Sequence, residues 1–180
     1  MIKIKRGEKY KVTIILVLAF IIVLFVIFQN AIINPRVVEK SNVKPTLTLQ
    51  ASSGTIKVND KLKLDVYAIN FVDLKGVQLS INYNPDVLVY DKTIEGNFLN
   101  RDAKTLFFDI RNTAKSGLIK DIVIVRQGSG ISGSGLVASV YFNATQAGYS
   151  DLKFGNILIA DKDSNIINTK TVDTDVKVIP

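Results

Sequence analysis

The stretch GSGISGSGLVASVYFNATQA, residues 128 to 147, decides the fold class. A glycine–serine loop runs straight into an alternating segment. In it Val137, Ser139, Tyr141 and Asn143 oppose Leu136, Ala138, Val140 and Phe142. Gly128, Gly130 and Gly133 satisfy G-x-G-x-x-G, the pattern of a phosphate-cradling turn. That pattern holds a pyrophosphate only where the third glycine opens a helix, whose N-terminal amides face the ligand. Here β-branched and aromatic residues follow with period two, the signature of a strand. No Lys-Ser/Thr pair follows, so the P-loop reading fails too. The loop therefore connects strands and does not hold a nucleotide.

The same alternation recurs on both sides of this stretch. Strands are predicted at Thr46 to Ala51, Leu62 to Ile69, Val77 to Tyr83, Val87 to Tyr90, Thr105 to Arg111, Ile119 to Arg126, Leu136 to Ala144, Asp151 to Ala160 and Thr171 to Ile179. Turn chemistry separates them at Val58-Asn59-Asp60, Asn84-Pro85-Asp86, Glu95-Gly96-Asn97, Lys115-Ser116-Gly117 and Ala147-Gly148. In the second segment Leu62, Leu64, Val66 and Ala68 oppose Lys63, Asp65 and Tyr67, one face for a core and one for solvent. About nine short strands without an amphipathic helix predict an all-β, antiparallel sandwich.

The N-terminus has a different character. From Val12 to Phe28 nothing is more polar than Thr13, a run of 17 residues. As a helix it is roughly 26 Å long, close to the hydrocarbon thickness of a bilayer. A buried core helix would show a polar face, and this run has none. A cleaved signal peptide usually carries a shorter apolar region and small residues before the cut. Here the exit is FQNAIINPR, so an uncleaved anchor is expected. A prepilin leader fits poorly, because Gly7 precedes Glu8-Lys9-Tyr10-Lys11 and not an apolar helix. The chain has no cysteine, which removes a lipid-modified cysteine. The expected organisation is a basic cytoplasmic tail (1–11), a transmembrane signal-anchor helix (12–33), a linker (34–45) and one β-sandwich domain (46–180). Lys3, Lys5, Arg6, Lys9 and Lys11 against one acid, Glu8, keep the tail in the cytoplasm and place the domain outside the cell membrane. A 17-residue polar stretch from Gln29 to Pro45 reaches at most about 60 Å, so the domain stays near the bilayer.

Charge agrees with that topology. Residues 1 to 44 hold eight basic and two acidic residues, and residues 45 to 180 hold 15 and 14. The formal net charge of +7 is thus almost wholly N-terminal. It suits anionic lipid, and it argues against nucleic acid, whose binder needs the excess on the folded domain. No histidine and no cysteine occur, so the common nucleophile–base pairs and His/Cys metal sites are excluded. Asp161-Lys162-Asp163-Ser164-Asn165 opens like an EF-hand loop, but Ile166 and Val172 stand where glycine and glutamate are required. A hairpin turn is expected there, with Asp161, Asp163 and Asn165 a weak surface calcium candidate. Asp173 and Asp175 are assigned to a solvated edge. No enzyme and no cofactor are expected.

Four motifs in fixed order carry a family resemblance. Val77 to Asn82 lead into Tyr83-Asn84-Pro85-Asp86-Val87-Leu88; Gly96-Asn97-Phe98-Leu99 follows; then come Gly130 to Ala144, and finally Ala147-Gly148-Tyr149 with a strand and an acidic hairpin up to Asn165. Over about residues 46 to 179 the chain resembles the cohesin domains of cellulosome scaffolds. The resemblance implies a nine-stranded jelly-roll sandwich, one sheet face of which binds a dockerin, a small calcium-dependent module of secreted enzymes. It also implies an Asn and an Asp, two apart, on the strand before the Tyr-Asn-Pro turn. This chain has Gly76 and Gln78 at those positions. Ser80 and Asn82 continue the outward phase. On the facing strand, Asp121, Val123, Val125 and Gln127 form the second row of partner-binding candidates. Three partners follow: a dockerin-like protein module, a polysaccharide, and the bilayer through the N-terminal helix. The polysaccharide reading rests on exposed tyrosines, with Tyr67, Tyr90 and Tyr141 as candidates and no tryptophan available. A structural role in a surface appendage is the third possibility.

Overall fold

The computed structural model describes residues 43 to 109 and 117 to 180. The expected tail, the anchor helix and most of the linker lie outside the described residues, as do residues 110 and 111 of one expected strand. No helix occurs among the described residues. They form ten strands: β1 (Thr46–Ala51), β2 (Thr55–Lys57), β3 (Lys61–Asn82), β4 (Leu88–Glu95), β5 (Thr105–Asp109), β6 (Leu118–Arg126), β7 (Ile131–Ala144), β8 (Gly148–Asp161), β9 (Lys170–Val172) and β10 (Thr174–Ile179).

Strand β3 organises the molecule. Where the hydrophobic pattern predicts two strands, the chain runs as one bent strand of 22 residues. Its first half pairs antiparallel with β1 and β7, and its second half with β6 and β8. One layer therefore runs β9-β1-β3-β7-β4, and the other β5-β6-β3-β8-β10-β2. The apolar rows Leu62, Leu64, Val66, Ala68 and Val77, Leu79, Ile81 are all within 1% of complete burial and meet in one core with Phe142, Ile122 and Ile124.

The bend lies at Asn70 (φ 58°) and Asp73 (φ 53°), residue types that tolerate the left-handed region. A kink there withdraws amides from the ladder, and they take side-chain partners instead. Ser134 Oγ accepts the Asn70 amide at 3.0 Å, and Ser132 Oγ accepts the Asp73 amide at 3.0 Å. Gly130 lets the chain approach: a Cβ there would lie 2.4 Å from the Asp73 carbonyl oxygen. The glycine–serine segment is thus largely strand, since β7 starts at Ile131 and not at Leu136. Its C-terminal end interlocks with the Gly96-Asn97-Phe98-Leu99 motif. The Gly96 and Phe98 amides donate to the carbonyls of Val137 and Leu136 at 2.8 and 2.9 Å. The fully buried Phe98 ring rests against Gly135. Arg126, 6% exposed, closes this corner. Its guanidinium donates to the carbonyls of Ser129 (3.0 Å), Leu99 (2.6 Å) and Arg101.

Three expectations are corrected. Strand β2 is too short to announce itself by periodicity and pairs parallel with β10. The last predicted strand divides at Asp173, β9 joining β1 and β10 joining β8. Asp175 is exposed and pairs with β8 alone, because β2 meets β10 only from Lys177 onward. Asp173 Oδ1 accepts the Phe154 amide at 3.0 Å, which explains the division. Finally, the single alternation read from Leu136 breaks at its start: Val137 is buried and Leu136 half-buried, while Ser139 keeps the outward phase and is buried with its hydroxyl donating to Asp65 Oδ1. The register slips by one between Val66 and Tyr67, so the β7 alternation holds only from Ala138 onward.

Candidate partner-binding face

The second layer turns one side to the core and the other outward. On β3 the outer side carries Gly76, Gln78, Ser80 and Asn82, alternating with buried Val77, Leu79 and Ile81. On β6 it carries Asp121, Val123 and Val125, all half-buried, and Gln127 continues the row fully exposed. Register brings them together: Gly76 lies opposite Val125 and Ala160, and Gln78 opposite Val123 and Leu158. The Gln78 side-chain amide donates to Asp121 Oδ1 at 3.0 Å. The predicted candidates therefore share one face.

This face has two halves. The first is apolar. Leu106 of β5 lies opposite Val125 and is 47% exposed, and Leu158 of β8 is 50% exposed. With Val123, Val125 and Ala160 they surround Gly76, where a Cβ would meet Ala160 Cβ at an ordinary 3.8 Å. Leu106 and Leu158 escape the sequence reading. Leu158 sits inside an apolar run, Ile157 to Ala160, whose phase is not readable from composition.

The second half is polar and is shaped by paired bulges. Between Leu79 and Ile81, two residues of β6 (Lys120, Asp121) and two of β8 (Gly155, Asn156) oppose the single Ser80. Asp121 takes φ 56° to make the first bulge. Ser80, 5% exposed, spends its hydroxyl on Asn156, accepting its amide at 2.8 Å and facing its carbonyl at 3.3 Å. Although on the predicted face, Ser80 thus shapes the surface and does not present a free hydroxyl. Above it lies a hollow of about 230 Å³ lined by Asn82, Lys120, Asp121, Gly155 and Asn156. A second hollow of about 440 Å³ meets it at Asn82 and is lined by Asn84, Tyr149, Asp151 and Lys153. Lys153 Nζ bonds Asp151 Oδ2 at 2.7 Å, and this hydrogen bond holds Lys153 above its ordinary pKa.

The remaining candidates lie elsewhere. Asp161 caps a hairpin: Oδ1 accepts the amides of Asp163 and Asn165 at 2.8 Å each, and Oδ2 accepts Asn165 Nδ2 at 3.0 Å. The hydrogen bonds from Asn165 lower the Asp161 pKa. Its oxygens serve the turn, and among the described residues no group of three carboxylates is placed to hold a metal ion. Tyr67, Tyr90 and Tyr141 belong to the first layer and are half-buried. Among the described residues the exposed tyrosine is Tyr149, at 63%.

No protein-family model matches the sequence, and no curated protein matches it either. The likeness is structural. A non-cellulosomal cohesin from the hyperthermophilic archaeon Archaeoglobus fulgidus is 19% identical, with a TM-score of 0.61 over 77% of this chain and 93% of that one. The second type II cohesin module of an adaptor scaffoldin from Acetivibrio cellulolyticus is 14% identical, with a TM-score of 0.66 over 77% and 99%. A chain of a type I cohesin–dockerin complex from Clostridium thermocellum is 16% identical, with a TM-score of 0.59 over 74% and 99%. At such identities the comparison bears on fold alone, and the fold is that of cohesin modules.

Proposed function

We propose that this chain is a non-catalytic, membrane-anchored recognition module, which docks a dockerin-type module of a secreted protein on the outer face of β5, β6, β3 and β8. The link to polysaccharide degradation follows from the scaffolds in which such modules occur. The observation that carries the reading is the uncharged stripe of Leu106, Val123, Val125, Leu158 and Ala160 around Gly76, open on a sheet otherwise covered with polar side chains. Half-exposed apolar side chains clustered in this way suit a protein partner. With Gly76 and Gln78 in place of Asn and Asp, affinity rests on apolar packing more than on β3 hydrogen bonds. The 17-residue apolar run supports the anchor, and the basic tail supports a cytoplasmic N-terminus.

The test immobilises the full-length chain and exposes it to culture supernatant with and without a calcium chelator. The expected result is chelator-sensitive capture of a protein carrying a dockerin-type sequence. Once that protein is purified, Val125→Asp should weaken it by at least about tenfold, or 1.4 kcal/mol, while leaving the fold intact. Retention on insoluble polysaccharide with no protein captured would sink the reading. So would a dockerin partner indifferent to Val125→Asp.

A further inference from the structure

The two hollows on the polar half of the face share Asn82 and line up as one groove beside the apolar stripe that carries the docking reading. It starts at Lys120 and the bulge over Ser80, passes Asn82 and ends at Tyr149. Its existence depends on Gly155. A Cβ there would lie 2.5 Å from Ser80 Oγ and 3.1 Å from Asn82 Nδ2, filling the floor. Both neighbouring strands bulge at this level, so the floor is a built feature and not a gap left by a small side chain.

The chemistry of the walls restricts the occupant. The charges balance, Lys120 against Asp121 and Lys153 against Asp151, and Asp121 already accepts from Gln78. A phosphate would meet two carboxylates, a cationic ligand would meet two ammonium groups, and a hydrocarbon would strip water from polar walls. The groove instead offers donors and acceptors side by side. Among the described residues no hydrogen bond engages the side-chain amides of Asn82 and Asn156, and each can donate and accept at once. A hydroxyl also donates and accepts, so a polyhydroxy ligand satisfies such amides in pairs. Tyr149 supplies an apolar surface at the far end. Lys177 Nζ lies over its ring, 5.4 Å from the centroid, and the residue lines the larger hollow. A flat ring beside convergent carboxamides and carboxylates suits a pyranose, with C–H groups against the aromatic and hydroxyls against the amides.

We infer that the groove from Lys120 to Tyr149 binds a neutral glycan chain of several sugars, with one ring on Tyr149 and a ring further along the chain reaching the hollow over Ser80. This site is separate from the apolar stripe and stands whether or not a protein docks there. It also relocates sugar recognition, which the sequence places on Tyr67, Tyr90 and Tyr141, to a tyrosine on the opposite layer.

The test titrates the full-length chain with cellohexaose, xylohexaose, mannohexaose and chitohexaose, up to about 10 mM each, a range that captures weak single-site binding. Binding is followed by NMR shifts of the Gly155 backbone amide and of the Asn82 and Asn156 side-chain amides. The expected result is saturable shifts at these three positions with at least one glycan. Tyr149→Ala should weaken that binding at least tenfold, and Lys153→Ala, at an exposed position, should weaken it severalfold. Saturable shifts elsewhere, binding unchanged in both variants, or no saturable response to any of the four glycans would overturn the inference.

Discussion

Replacing Gly135 by alanine probes the contact that joins the two motifs on which recognition of the fold depends. A Cβ at residue 135 would lie 2.8 Å from Phe98 Cδ2 and 2.9 Å from both Cβ and Cγ. Carbon pairs at rest sit about 3.5 to 4.0 Å apart, so the ring must move by most of an ångström. It has little room, because Phe98 is completely buried and its amide is fixed to Leu136 at 2.9 Å. Overpacking of this kind costs about 1 to 3 kcal/mol. Removing a glycine from the unfolded chain returns about 0.4 to 1 kcal/mol, leaving a net loss of about 0 to 2.6 kcal/mol, centred near 1. Phe98→Ala alone should cost about 3 to 5 kcal/mol through the cavity it leaves. In the double variant the clash disappears, and the new methyl fills part of that cavity. Gly135→Ala with Phe98→Ala should therefore be no less stable than Phe98→Ala alone. The coupling energy should be at least about 1 kcal/mol in favour of the pair. Urea denaturation followed by far-ultraviolet circular dichroism gives all four stabilities, provided the m-values agree. Additivity within about 0.5 kcal/mol would refute the interlock.

Two further outcomes follow from side chains whose partners are known. Arg126→Lys keeps the charge but replaces a planar fork by a point donor facing three backbone carbonyls, so it should cost about 1 to 3 kcal/mol in the same urea assay; a neutral result would mean the carbonyls find other donors. Asp161 has a lowered folded pKa, so its contribution to stability is present above the ordinary carboxylate pKa and is lost as pH falls through the folded value. The protection of the Asp163 and Asn165 amides, taken as exchange relative to the intrinsic rate at each pH, should accordingly fall in acid, and Asp161→Asn should abolish that dependence, whereas an unchanged protection profile would show that the cap is not electrostatic.

Much of the fold was legible because a half-buried sheet writes its two faces directly into the chain. Leu62 to Ala68 and Val77 to Ile81 alternate without fault, and every inward residue is buried. The continuity of β3 was not legible. Asn70 and Asp73 carry the composition of a turn, and partners about 60 or more positions later, the hydroxyls of Ser132 and Ser134 among them, keep the kinked segment in the sheet. Long-range partners of this kind leave no local periodicity. The short β2 and the division at Asp173 escaped for the same reason, each being set by a neighbour distant in sequence.

The outer face shows why a site is harder to read than a core. A bulge shifts the outward phase by one residue, so one phase cannot be carried along a whole strand. On β8 the exposed positions are Tyr149, Asp151 and Lys153 before Gly155-Asn156, and Leu158 after it. On β6 they change from Lys120 to the row of Asp121, Val123 and Val125. Counting back from Gln127 placed the valines correctly because all of them lie on one side of the bulge. Lys120 lies on the other side and was missed, as was Leu158 across the bulge in β8. Both slips occur at Ser80, so one irregularity opens the polar hollow and also sets the phase that brings Leu158 and the β6 valines onto a common surface. The apolar stripe and the groove therefore depend on the same backbone feature, even though they suit ligands of different chemistry.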